Sequence, residues 1–478
     1  MQYHSLSLLE HGYRTTLLGY AGTDVIPQLL PYVQTQQLRI VRMVAPGRFE
    51  WVGFRSLRLV LRLLALVWVL VCAMFDVVVG GGGFGGLFRM WFSSSSSSDC
   101  NGVDVVLVQN PPSAPTLLIS WLFCVLHGSS LVIDWHNLGF AMFDLPSEHP
   151  VVVVARLYER WIGPLADAHF CVSAAMKEWL VKNFKLSNVH VVRDRPPSFF
   201  RETNVEEQHE CLTRLNGAFN DCITKFGLNS LIEENEDCEC SIKTMRRRNE
   251  GALLRQDRPV ILVSATSWTP DEDFSILIGA LIRLDKLLRA RNEKGGSCKN
   301  ILCIVTGKGP LKEEYERKFL QLNPTLRHVH FMTIWLSPSD YPTIIGSADI
   351  GISLHTSTSG IDLPMKILDF FGGGLPVCAK KFDCISELVH HNENGLVFQD
   401  SKQLSEQLDN LILNPEELAK LKKNVRNMSR WSENWDKNAA AVIRSTAVST
   451  SYLMPMIKRI SLVIFCFSAY FFQKHLVR

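Results

Sequence analysis

The chain has almost no excess of either charge: 50 Lys and Arg stand against 47 Asp and Glu, a net of +3. That balance removes any global case for a nucleic-acid partner. Metal-ligand cysteine spacing is also missing. The 13 cysteines are scattered, and the tightest pair, Cys238 and Cys240, lies in an acidic polar stretch and reads as reduced surface thiols. Such usage suits a fold facing the cytosol. No signal peptide opens the chain, since Met1 to His4 runs straight into an amphipathic pattern. Long apolar runs are lacking as well. The best two, Leu63–Phe75 and Ile460–Phe472, hold about 13 residues each, against roughly 20 for a spanning helix. A Walker loop is absent: Gly307-Lys308-Gly309-Pro310 is only a Gly-rich turn with a cation.

What is present is ample apolar material. At 478 residues and 47% hydrophobic content, two or three domains with sizeable cores can form. Residues 1–20 read as a helix, then a strand at Thr15–Gly19. The opening strand and Gly-rich turn of a Rossmann-like unit are not found there. Residues 54–79 are basic, then apolar, with Arg55, Arg58 and Arg62 leading. They read either as a helix lying on a membrane surface or as one buried against a sheet. Residues 80–98 are a Gly/Ser tract, read as a disordered insertion. Val103–Val108, Pro115–Leu126 and Leu131–Asp134 follow as strand, helix and strand, which argues a parallel sheet. Asp134 and His136 then sit at a strand's C-terminal end, where such sheets place ligands. The plain alternative is that they bond each other or the backbone. Glu159, on a helix at 150–166, reads as a helix-surface acid. Residues 201–256 are polar and read as a linker or surface insertion.

A second α/β unit begins at Pro259. Asp271-Glu272-Asp273 matches Asp-x-Asp, a metal-holding pattern. Thr269 as N-cap, Pro270 at N1 and Glu272 at N3 explain the same residues as a capping box. The stretch that organises this half is Leu354–Val377. A loop of small polar residues, His355–Gly360, feeds a helix opening near Pro364. Free N–H groups and the helix dipole make such a junction an anion site. Lys366 adds a cation, and Asp369 lies one turn on, where an acid suits a ribose. The alternative is an ordinary Gly-rich helix boundary. Helices follow at 402–412 and 415–429, then an apolar tail.

Six motifs stand in order: V-Q-N-P-P-S (108–113), V-I-D-W-H-N (132–137), S-W-T-P-D-E-D-F (267–274), T-G-K-G-P-L (306–311), H-T-S-T-S-G-I-D-L-P-M-K (355–366) and N-G-L-V-F (394–398). Together they closely resemble the chitobiosyldiphosphodolichol β-mannosyltransferase family, over residues 1–66, 103–200 and 257–438. The resemblance implies an α/β protein of the GT-B type: two Rossmann-like parallel-sheet domains facing across a cleft. The acceptor domain would span 1–200, a polar linker 201–256, the nucleotide-sugar domain 257–438 and an apolar tail 439–478. It implies transfer of mannose from GDP-mannose to the 4-hydroxyl of the outer GlcNAc of dolichol-diphosphate-linked chitobiose. The α-linked donor would give a β product by inversion. Donor contacts would come from Ser267, Trp268, Lys308, Gly309, Ser359, Gly360, Lys366 and Asp369. Related enzymes usually carry Glu at the Asp369 position, and Trp268 has a core role as its alternative. His136 would be the base with Asp134 beside it, and Glu159 in reserve. No metal and no cofactor are expected.

The implied setting is the endoplasmic reticulum membrane, with catalytic domains facing the cytosol. Other mannosyltransferases of the same pathway are implied as partners, and no nucleic acid. The family's amino-terminal membrane helix, first strand and Gly-rich turn have no counterpart, because Met1 corresponds to a point inside the first helix. That departure suggests a truncated gene model or splice variant of low activity. Two other readings stay open: a GT-B enzyme using another nucleotide sugar, and an inactive membrane-associated partner of the glycosylation machinery.

Overall fold

The computed structural model describes residues 1–22, 24–45, 47, 55–79, 103–143, 145–226, 238–247, 250–296, 298–357 and 359–448. The Gly/Ser tract at 80–98 and the apolar segment at 456–472 lie outside them. The chain divides into two units, Met1–Arg193 with Ser432–Arg478, and Asp194–Trp431. The second unit therefore starts at Asp194 rather than 257. The chain re-enters the first at Ser432.

The first unit contains α1 (Gln2–Glu10), β1 (Thr15–Tyr20), β2 (Leu38–Met43), α2 (Arg55–Val79), β3 (Val105–Asn110), α3 (Thr116–His127), β4 (Ser130–Trp135), α4 (Pro150–Ile162), β5 (Ala168–Cys171), α5 (Ala174–Phe184) and β6 (Val189–Val191). β1 and β2 pair in parallel, and β3-β4-β5-β6 form a separate parallel sheet. Every residue of β4 is buried, as the near-continuous apolar run of a parallel strand covered on both faces requires. α2 settles the two readings of 54–79 for one of its faces. Leu70 and Ala73 are buried against Val41 and Met43 of β2. Asp76, which interrupts the apolar run, meets Arg39 of β2 at 2.8 Å. Leu63, Leu64 and Trp68 stay exposed. Among the described residues, no helix is long and apolar enough to cross a membrane.

The second unit opens with α6 (Val205–Arg214), α7 (Asn216–Phe226) and a three-stranded antiparallel sheet, β7 (Cys238–Cys240), β8 (Thr244–Arg247) and β9 (Leu253–Leu254). Here the linker reading of 201–256 is corrected. Cys211, Leu212, Phe219, Phe226 and Ile242 are buried in the same core as the main sheet. The polar composition reflects the outer faces of α6 and its neighbours, capped by the reciprocal Asn204–Glu207 bonds. The main sheet comprises β10 (Val260–Ala265), β11 (Ile301–Thr306), β12 (Val329–Ile334), β13 (Ile350–Ser353), β14 (Val377–Lys380) and β15 (Gly395–Phe398). Around it lie α8 (Phe274–Glu293), α9 (Lys312–Leu322), α10 (Tyr341–Ser347), α11 (Met365–Gly372), α12 (Ser401–Leu413) and α13 (Pro415–Arg426). The order β12-β11-β10-β13-β14-β15 is wholly parallel. The strand order reverses between β10 and β13, the switch point where open sheets of this kind bind ligands.

The capping box expected at Thr269–Glu272 does not form. The N-cap of α8 is Asp273, whose carboxylate accepts from the Ser275 N–H at 2.9 Å. Asp271 and Glu272 thus stand ahead of the helix, free for tertiary contacts.

Candidate active site

The candidate donor residues lie on the loops that leave the C-terminal ends of β10, β11 and β13 and on α11, which follows the last of these loops. The turn after β11 packs directly on the loop after β10. Gly307 has φ +142°, and a Cβ there would run into the Thr266 carbonyl. A Cβ at Gly309 would strike the Ser267 carbonyl. Only glycine permits this approach, which sets Lys308 beside Ser267. Leu311 N–H then bonds the Trp268 carbonyl at 3.1 Å.

Glu272 organises the centre. Its side chain is 4% exposed. One oxygen accepts from Thr266 Oγ1 and from the Ser267 N–H at 2.9 Å. The other receives Lys366 Nζ at 3.3 Å, and the same ammonium donates to Ser267 Oγ at 3.0 Å. Lys366 is thereby aimed by a buried carboxylate yet remains partly open to solvent. No side chain caps α11, whose N-cap is Pro364, so its first-turn N–H groups have no side-chain partner of that kind. The loop between β13 and α11 is anchored at its start to Asp271, on the segment after β10. His355 Nδ1 meets Asp271 Oδ2 at 3.0 Å, and Thr356 Oγ1 donates to the Asp271 carbonyl at 2.9 Å. Burial works to raise the Asp271 pKa. Bonds from Thr269, the backbone and His355 outweigh it and leave the carboxyl below its ordinary value. Ser359 Oγ donates to Asp362 at 3.0 Å, and the Ser357 hydroxyl donates to the same carboxylate oxygen. Gly360 turns the chain with φ +76°.

Asp369 accepts from Tyr341 Oη at 3.1 Å. Burial pushes its pKa up to about 7, against the opposing pull of the Tyr341 bond and Lys366. Native Asp369 therefore keeps a proton that an unfolded aspartate releases at about 3.9. Its contribution is present at low pH and is lost as pH rises through about 7. Asp369→Asn removes that dependence, which denaturant titrations at pH values on either side of this range would reveal.

Trp268 departs from the donor expectation. Its indole is 0% exposed and stacks on Phe274, with ring centroids 4.6 Å apart. It belongs to the core, held at an unusual φ of +52°, and only its backbone lines the turn. The residue that offers an exposed indole is Trp335, after β12. It is 52% exposed, and Lys308 Nζ lies 3.9 Å from its ring centroid. Trp335 carries no local sequence motif, and its approach to Lys308 is set by tertiary contact alone.

The first unit carries its own constellation at the end of β4. Asp134 is 1% exposed and receives His136 Nε2 at 2.8 Å and His4 Nε2 at 3.3 Å. Burial would raise its pKa. The charge and hydrogen bond of His136, joined by those of His4, dominate and hold it well below the carboxylate range. Trp435 Nε1 donates to His4 Nδ1 at 3.1 Å. An indole N–H can only donate, so His4 Nδ1 is the acceptor and its Nε2–H faces Asp134. No local pattern in the chain signals His4, which is remote in sequence from Asp134.

Glu159 is not the surface acid expected. It is 0% exposed, and one oxygen accepts from Ser113, from Asn110 Nδ2 at 3.0 Å and from the Gly139 N–H at 2.8 Å. These bonds tie the segments after β3 and β4 together. Burial raises its pKa, with those three bonds working against it. Glu159 is spent on holding the loop that follows His136.

Residues 246–428 match the family described as glycosyl transferases group 1. A chitobiosyldiphosphodolichol β-mannosyltransferase of Homo sapiens is 38% identical over 93% of this chain and 90% of its own length. The chain belongs to the chitobiosyldiphosphodolichol β-mannosyltransferase family. It is a glycosyltransferase. An Arabidopsis thaliana relative named UDP-glycosyltransferase TURAN is 39% identical over 71% of this chain and 76% of its own. Among solved structures, Anabaena Alr3699/HepE in complex with UDP superposes with a TM-score of 0.52 at 14% identity, over 94% of this chain and 95% of that one. At that identity the likeness speaks for the fold, and it bears out the GT-B class.

Proposed function

We propose that this member of the β-mannosyltransferase family moves mannose from GDP-mannose to the outer GlcNAc of diphosphodolichol-linked chitobiose, forming a β-1,4 linkage at the cytosolic face of the endoplasmic reticulum membrane. The observation that carries the donor half is the Ser267–Glu272–Lys366 cluster beside the uncapped N-terminus of α11, at the switch point of a parallel sheet. A diphosphate leaving group needs cations and N–H donors where its charge grows, and this cluster supplies both. Lys308 adds a second cation. Trp335 offers a face for the base, and Asp369 faces the ribose hydroxyls. Asp271 and Glu272 are engaged by His355, Thr266, Ser267 and Lys366. The reading accordingly routes no step through a metal.

In the acceptor half, the 4-hydroxyl oxygen attacks the anomeric carbon as the bond to the diphosphate breaks. The configuration inverts, GDP departs, and His136 takes the hydroxyl proton. Asp134 stays ionised and orients the imidazole as it gains charge. The deciding experiment incubates the full chain with radiolabelled GDP-mannose and chitobiosyl-diphosphate lipid. Conversion to a trisaccharide lipid supports the reading. Conversion with a UDP-sugar alone would redirect it toward the donor named for the Arabidopsis relative.

Two expectations follow for supporting residues. GDP affinity falls as pH drops through about 7, because a protonated Asp369 accepts ribose hydroxyls poorly. Calorimetry in buffers of different ionisation enthalpy would show proton release on binding, and Asp369→Asn abolishes it. His4→Ala lowers kcat by roughly tenfold while leaving the donor KM in place, the scale of partners that orient a reactive imidazole's support. His4→Gln, which keeps a donor toward Asp134, restores part of the rate in the same steady-state assay.

A further inference from the structure

The outer face of α4 is apolar. Val151, Val154, Leu157 and Trp161 recur at spacings of three and four, which places them on one side of the helix. They are 47%, 65%, 43% and 70% exposed. Met142 and Phe143, on the segment leading into α4, are exposed as well. The inner face holds Val152, Glu159 and Ile162, all buried. Arg156 and Arg160 are exposed between the two faces, along one flank of the apolar stripe. Single exposed apolar residues are ordinary, but a contiguous set rimmed by charge marks an interaction surface.

We propose that the outer face of α4 seats on an anionic lipid surface. The apolar stripe enters the headgroup boundary, Trp161 lies at the level where indoles settle, and the two arginines meet lipid phosphates from the flank. Charge complementarity favours this occupant: a basic flank beside an apolar stripe fits a negatively charged membrane. Position supports it too. On the inner side of the same helix, Glu159 accepts from the Gly139 N–H and from Asn110, and so holds the segment that follows His136. A helix resting on lipid is thus bonded directly to the loop beside the proposed base. The identity of the lipid-linked acceptor rests on the function proposed above. The docking of α4 does not.

The test uses the full chain with phosphatidylcholine vesicles, with and without phosphatidylserine, and with brominated acyl chains as quenchers. Wild type loses more tryptophan fluorescence on brominated vesicles than Trp161→Phe. The difference grows with anionic lipid and shrinks with salt. Arg156→Gln with Arg160→Gln removes the anionic preference, and Val154→Glu lowers vesicle partition by about tenfold. Equal quenching in wild type and Trp161→Phe overturns the proposal, whatever binding other segments supply. Concentration-dependent self-association that Val154→Glu abolishes also overturns it, since a second copy would then cover the face. Transfer to a water-soluble short-chain acceptor, measured in the same preparations, keeps the two claims apart. Activity absent in wild type strikes the proposed function alone, while lost vesicle binding with activity retained in Val154→Glu supports the docking.

Discussion

Lys366→Met lowers kcat/KM for the sugar-nucleotide donor by about 10²–10³-fold, the usual cost of deleting one preorganised group at a developing charge. The geometry explains the expected size. Lys366 Nζ is held between Ser267 Oγ at 3.0 Å and Glu272 Oε1 at 3.3 Å, so its position is set before substrate arrives. A positioned cation need not reorganise as the diphosphate leaves, and that separates it from a mobile surface lysine. The fold should survive, because Glu272 keeps Thr266 and the Ser267 N–H. A melting curve close to that of the wild type, together with the lost rate, confirms a role in transfer. A variant that keeps its rate removes Lys366 from the leaving-group site.

His136→Ala lowers kcat by about 10²–10⁴-fold, the span covered by general acid–base groups. GDP affinity stays as it was, since His136 belongs to the first unit and the donor cluster to the second. Asp134→Asn follows in the same direction through orientation, because His136 and His4 both direct an imidazole nitrogen at this carboxylate. Steady-state kinetics with the acceptor varied, combined with GDP calorimetry, separates these outcomes. Weakened GDP binding in His136→Ala would show that the loss is not one of base catalysis.

Much of the second unit was legible because its signals are local. Parallel strands read as short apolar runs, and their C-terminal loops carry Gly, Ser and Lys at the expected places. The motif around Lys366 could be found for that reason. What escaped was set by tertiary contact. Glu272 looked like the last member of a capping box, yet Asp273 caps the helix and Glu272 turns inward to Lys366. Trp268 and Trp335 could not be ranked from sequence, and packing put the first in the core and the second in the open. Glu159 followed the pattern of a surface acid because its partners, Ser113, Asn110 and Gly139, lie on other elements. His4 and Trp435 stand 431 positions apart, and only the return of the chain at Ser432 brings the indole onto the imidazole that faces Asp134. The polar stretch after 201 misled through composition, since its few buried residues carry its attachment to the main core.

The most direct test of the account is a single transfer assay on the full chain. Purified protein is given radiolabelled GDP-mannose and chitobiosyl-diphosphate lipid, and the extracted lipid glycan is digested with an exo-β-mannosidase. The account predicts a trisaccharide lipid whose mannose the enzyme releases, formed by wild type and reduced about 10²-fold or more in Lys366→Met and His136→Ala. Mannose transferred at an equal rate by both variants, or a product resistant to the β-specific enzyme, would contradict it.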